Sequence, residues 1–288
     1  MREWYITNEY GKTINFNKDS DFRITRITGL SHNGVKFSTS QASGQTGETI
    51  NSIKVQSKNV TIEGDFKDIY SNKRDFLDTL IPGMPVTFRV MDLSEKYDVY
   101  INAYVSTSPN ISEDDRVYKQ FQLVLYCNYP YWRDVNTSVV DFVSYVSGFR
   151  LPRSFSNTIP WKIAEKQINN LSYAVNKGSD KTGFKVRFEA TGYVKAPELL
   201  KVVTQEHIRL IDLEMQEGDI VEVSTYENNK YVKRYRNGAE ENVFYTMDDD
   251  SNFFQLDIGS NPLRFDAAQA SVNNLFCSMI FENTYVGI

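Results

Sequence analysis

The sequence is poor in the residues that most enzymes rely on. Its 288 residues contain two histidines and two cysteines. His32 sits in the turn "GLSHNG", and His207 opens a strand-like run after "TQE". They are far apart, and neither has zinc-ligand spacing around it. A Ser–His–Asp site would need one of them, and no G-x-S-x-G is present to carry a nucleophile. G-x-G-x-x-G and P-loop patterns are also missing, which removes those routes to nucleotide use. No apolar run approaches the roughly 20 residues that span a bilayer, so membrane insertion is not expected. The opening "MREWYITNEYGK" lacks the apolar core of a signal peptide. Net charge is −5, which argues against a nucleic-acid binder held mainly through phosphates. Cys127 and Cys277 fall one in each half, within apolar runs, and are expected to be buried, reduced thiols.

The acidic residues offer no better site. "EDD" (Glu113 to Asp115) and "DDD" (Asp248 to Asp250) lack the alternating oxygen ligands and enforcing glycine of a calcium loop. They read as solvated turns. Among 37 acidic residues, a carboxylate pair suited to glycoside hydrolysis carries no information by itself. Trp161 and the tyrosines are expected in cores or interfaces rather than on a sugar-stacking platform. No catalytic residue, metal ligand or cofactor is expected.

What the sequence does have is aromatics and alternation. Its 18 Tyr and 18 Phe favour pleated surfaces. "FRITRIT", "IKVQ" and "NVTIEGDF" read as strands, with the small-polar "STSQASGQTGETINS" between the first two as a loop. One helix is expected, over about 68–81. Asp68 caps it, Ile69, Phe76, Leu77 and Leu80 form an apolar face, and Pro82-Gly83 stop it. "VTFRV" and "YDVYINAYV" read as a long hairpin over 86–105, and "FQLVLYC" as a further strand. Periodicity then fades, with Gly148 and Pro152 in the faded stretch. This predicts a first domain over 1–134, a connector over 135–157 and a second domain over 158–288. The second half is a series of short strands with turn signals, including Asn237-Gly238, in the manner of an antiparallel sandwich. Phe254 and Leu256 are expected in its core, on a strand ending at Gly259.

The order of these pieces resembles a known family. "ITGL", the "SGQTGETI" loop, "VTIEGDF", "RDFLDTLIPG" and "VTFRV" follow one another, and "LVLYCNYPYW" closes the first half. "EGDIVEVST", "FFQLDIGSNPLRFDAA" and "TYVGI" end the second. The chain is thereby similar to the siphophage distal tail proteins, called Dit. That resemblance implies a mainly-β chain: an N-terminal β-barrel-like domain with one α-helix and an extended hairpin, then a C-terminal galectin-like β-sandwich. It implies a hexameric ring joining the tail tube protein to the tail-tip or baseplate proteins, such as a tail-associated lysin or a receptor-binding protein. DNA would cross the pore without specific binding. Folding and assembly would take place in the host bacterial cytoplasm, and the product would reside in the virion tail. The alternative is a carbohydrate-binding tail-tip or baseplate adhesin.

Ring or tail contacts are expected at Gly44 and Gly47 in the polar loop, at Lys73, Arg74 and Asp78 on the helix, and at Tyr97, Tyr100 and Tyr104 on the hairpin. The 86–105 hairpin is expected to protrude with open edges, since its tyrosines come with few charges.

Overall fold

A computed structural model describes the chain outside residues 1, 18, 32–33, 68–72, 113–118, 148–163, 169–170 and 269–270, and gives only the backbone of 143–147 and 164–168. His32, Asp68, Ile69, Glu113 to Asp115, Trp161 and part of the expected connector lie outside the described residues. The fold is mainly β. Two units divide the chain, one of residues 1–136 with 284–288 and one of residues 137–283.

In the first unit the strands are β1 (Arg2–Asn8), β2 (Thr13–Asn15), β3 (Phe22–Thr28), β4 (Val35–Ser40), β5 (Thr49–Val55) and β6 (Lys58–Phe66). After the helix come β7 (Pro85–Asp92), β8 (Tyr97–Val105), β9 (Asn110–Ile111), β10 (Gln120–Cys127) and β11 (Trp132–Asp134). The main sheet runs β2-β1-β7-β8-β10-β6-β3 with antiparallel neighbours. Its ends do not pair with each other among the described residues, so the barrel-like form implied by the resemblance is an open sheet here. Alternation puts one face of every strand inward. Phe88 and Val90 of β7, Val99 and Ile101 of β8, and Leu123 and Leu125 of β10 are all buried. Each such side chain contributes about 1.5–3 kcal/mol of hydrophobic stabilisation.

The described part of helix α1 spans Lys73–Thr79; of the expected 68–81, residues 68–72 lie outside the described residues. Phe76 points inward from it, with ring centroids 5.0 Å from Phe22, 5.4 Å from Phe66 and 5.0 Å from Phe121. Leu80, just past its end, is buried too. The Asn8 side chain donates to the Thr79 carbonyl at 3.3 Å and ties the helix end to β1.

The second unit contains β12 (Ser138–Asp141), β13 (Val143–Ser147), β14 (Ala164–Ile168), β15 (Leu171–Asn176), β16 (Phe184–Ala190), β17 (Val194–Lys201) and β18 (Glu206–Arg209). It continues with β19 (Glu214–Met215), β20 (Ile220–Ser224), β21 (Tyr231–Arg236), β22 (Ala239–Asn242), β23 (Gly259–Ala268) and β24 (Leu275–Phe281). One sheet is ordered β12-β24-β16-β20-β21-β22 and another β15-β23-β17-β18. Their buried faces share one core, with Phe184, Phe188 and Phe281 from the first sheet and Leu199, Leu263 and Phe265 from the second. That is the expected sandwich. Phe254 and Leu256 belong to its core, but Leu256 forms only a single bridge with Thr182 rather than part of a strand. The chain then returns to the first unit, where β25 (Thr284–Tyr285) pairs with β11.

Candidate assembly surface

The hairpin expected to protrude does not. Strands β7 and β8 sit inside the sheet, with β1 along β7 and both β10 and β11 along β8. Their edges are largely paired, so the open-edge argument fails for residues 86–105. The protruding element is the stretch expected to be a loop. Strands β4 and β5 pair only with each other among the described residues, and every residue of both is exposed.

This arm is amphipathic because of one irregularity. Val35 lies opposite Val55, Phe37 opposite Ile53, and Thr39 opposite Ile50, with a register shift between Ser38 and Thr39 that passes over Asn51. An extra residue in one strand resets the side-chain alternation beyond it. Ile50 and Ile53, three apart, therefore face the same way. Val35, Phe37, Ile50, Ile53 and Val55 form an apolar face, with exposures between 41% and 60%. Lys36, Ser38, Ser52 and Lys54 occupy the other. At the tip, Gly44 and Gly47 take φ of +81° and +84°, which suits glycine. Gln45 holds the tip together, its amide N–H donating to the Ala42 carbonyl at 3.0 Å and its side chain to Thr49 at 2.9 Å. A lone two-stranded hairpin with an uncovered apolar face is marginal in water, so this geometry suits a partner that covers it.

The other anticipated contact residues fall in three further places. Lys73, Arg74 and Asp78 are exposed on α1, where Arg74 and Asp78 approach to 3.8 Å one turn apart. Such an exposed pair contributes little to stability. Tyr100 and Tyr104 lie on the outer face of the main sheet, the side away from Phe76. Tyr100 is opposite both Arg89 and Arg133, and Tyr104 opposite Tyr126. Around them Arg89 donates to Asp98 at 2.7 and 2.6 Å, and Arg133 lies 4.7 Å from the Tyr129 ring centroid. This outer face joins aromatics to charges that neutralise one another. Tyr97 is on the inner side with Val99 and Ile101, under Arg2, and burial raises its pKa. The structure thus brings Tyr100 and Tyr104 onto one face and separates them from the helix charges and the arm tip. Sequence reasoning missed Phe37, Ile50 and Ile53. Their signal was "VKFST" and "INSIKV" on either side of the polar tip, blurred by the register shift.

The chemistry elsewhere is that of structural ion pairs. Asp219 is held below the usual carboxylate range by Arg236, Asp257 by Lys201 and Lys181, and Glu214 by Lys195. Ser94 and Arg2 do the same to Asp92. A general acid needs the opposite shift. Among the described residues, no group of three or more His, Cys, Asp or Glu could hold a metal ion. No described helix is long and apolar enough to cross a membrane. Cys127 and Cys277 are buried free thiols, pushed upward in pKa by burial.

Comparison with known proteins gives this geometry a context. Residues 177–285 match the family model described as siphovirus-type tail component, C-terminal domain. The crystal structure of SPP1 Dit (gp 19.1), described as a paradigm of the hub adsorption apparatus in phages infecting Gram-positive hosts, aligns over 98% of both chains. Its TM-score is 0.63 at 12% identity. Chains of the phage P2 baseplate in its activated conformation also align over 98% of both chains. Their TM-scores are 0.53 with Ca at 10% identity and 0.54 with Sr at 11%. No curated protein matches the chain. Residues 177–285 are therefore similar to the siphovirus-type tail component domain, and the chain as a whole shares its fold with SPP1 Dit.

Proposed function

We propose that this protein is a non-enzymatic hub of a phage tail. Six copies close a ring between the distal end of the tail tube and the tail-tip or baseplate proteins, after folding in the host cytoplasm. The observation that carries this reading is the arm of residues 35–55. It presents five exposed apolar side chains on one face of a hairpin that has no sheet to join among the described residues. A contact between an arm on one copy and a different surface on the next is heterologous, and such contacts generate closed rings when the rotation divides the circle. The SPP1 and P2 likenesses support a place in a hub or baseplate, and the number six follows from the family resemblance. Gly44, Gly47, Lys73, Arg74, Asp78, Tyr100 and Tyr104 are proposed as further ring or tail contacts. Tyr97, on the inner side of the sheet, supports the hairpin instead. Cryo-microscopy of assembled tails tests the reading. It should place this chain as a six-fold ring at the distal end of the tube. A peripheral fibre, or a single central copy, would overturn it.

A further inference from the structure

The arm joins the sheet through a root that has an unusual cation at its centre. The incoming side includes residues 29–31 and Gly34, and the outgoing side is residues 56–58. Gln56 N–H donates to the Gly34 carbonyl at 2.8 Å and closes the root. Gly29, at φ +89°, lies so close to Asn59 that an added Cβ would meet that carbonyl oxygen at 2.1 Å. The Leu30 carbonyl accepts two donors, the Trp132 indole N–H at 2.9 Å and the Lys58 ammonium at 3.2 Å. Ser31 donates to the Ile288 carbonyl at 3.0 Å. Lys58 is only 4% exposed, and its Nζ lies 5.4 Å from the Trp132 ring centroid.

A buried ammonium normally has a carboxylate partner. Among the described residues Lys58 has none. From β10, Cys127 sits opposite it in the sheet and is itself pushed up to about 11. From β11, Trp132 offers its ring, and from the 29–31 turn Leu30 offers a carbonyl. One carbonyl and one π face replace only part of a water shell. Burial accordingly lowers Lys58 to about 8.

We propose that Lys58 is a proton-controlled latch at the root of the arm, closed as the neutral amine and loosened as the ammonium. The charged form regains water only if the 29–31 turn and the 56–58 segment part, because those two stretches and Trp132 enclose it. Parting them frees the strand pair from the sheet, so the whole arm changes attitude. The neutral form has no such drive and keeps the root packed. Near neutral pH the ammonium dominates and the arm samples orientations in which its apolar face can meet a partner.

The test reads the arm directly, in dilute full-length protein, and so does not depend on ring formation. Spin labels are placed at Ser43→Cys in the tip and Asn102→Cys in the sheet, while the buried native cysteines stay unlabelled. Dipolar distance measurement should give a broad distribution at pH 6.5 that narrows by pH 9.5, with a midpoint near pH 8. Lys58→Met should be narrow throughout that range. Lys58→Arg should be broad throughout, since its guanidinium stays charged. If Lys58→Arg does not fold, the wild-type titration and Lys58→Met decide the matter. A wild-type distribution that ignores pH, or a Lys58→Met protein that follows the wild-type profile, would overturn the latch. Failure of the ring reading would appear instead in the tail images, with these distances unaffected.

Discussion

A few single residues decide local energetics, and Lys58 is the most informative. Its folded pKa of about 8 lies below the ordinary lysine value of 10.5, so the folded state disfavours the charged form. Below pH 8 the side chain is charged in both folded and unfolded chains, and folding carries the cost either of burying the charge or of opening the root around it. Between about 8 and 10.5 the unfolded chain binds more protons, so stability rises with pH across that window. At about 1.36 kcal/mol per pKa unit, the cost is up to about 3 kcal/mol. Lys58→Met should therefore stabilise the first unit by about that amount at pH 7 and by much less at pH 10.5. Urea unfolding followed through Trp4 and Trp132 fluorescence reads this, and an unchanged midpoint at pH 7 would contradict it. This lysine was not legible in the sequence, because burial of a polar residue at a strand start depends on neighbours distant in the chain. Leu256 was legible from alternation with Gln255 and Asp257, and it is fully buried. Leu256→Ala should cost about 2–5 kcal/mol, seen as a lower calorimetric transition of the second unit. A loss under about 0.5 kcal/mol would mean the cavity closes without penalty.

At the scale of elements, the period of the apolar residues was informative only where it was unbroken. β7, β8 and β10 alternate cleanly over eight or nine residues, and their inward faces are the ones expected. Alternation reveals which side chains share a face, however, and not which strand lies at an edge. The 86–105 hairpin was expected at the margin and lies in the middle, because β1 and β11 arrive from distant parts of the chain to flank it. The arm failed for the opposite reason. Its register shift breaks period two between Ile50 and Ile53, and the polar tip between its strands resembles an ordinary loop. Since its apolar face packs on nothing described within the chain, charges there should leave the fold intact. Phe37→Asp with Ile53→Asp should change stability by no more than about 0.5 kcal/mol, the usual range for surface positions. The same double variant should abolish incorporation into tails, measured by complementation of a phage lacking the wild-type protein. Normal tail assembly by this variant would remove the arm from the proposed contact.

At the scale of the whole molecule, the chain crosses from the first unit to the second once and then returns. Residues 284–288 belong to the first unit, where Trp132 pairs with Tyr285 and Ser31 donates to Ile288. Gly287 leaves no room beside Ser31, since a Cβ there would lie 2.7 Å from the Ser31 Cα. A two-residue strand has too few positions to show a period, so this return was not legible as structure, although "TYVGI" was part of the family resemblance. Its physical consequence is that the first unit is completed only after the second has been made. Trp132 is fully buried and stands between β25 and the arm root, where its indole bonds Leu30. Removing residues 284–288 should therefore loosen β11 and the 29–31 turn while sparing the sandwich core. Hydrogen exchange on the truncated protein should show lost protection at 29–31 and 132–134, with 184–190 in β16 unchanged. Uniform loss across both units would mean that the return strand supports the entire chain. No change at 29–31 would mean that the Gln56–Gly34 and Trp132–Leu30 hydrogen bonds hold the arm root without it.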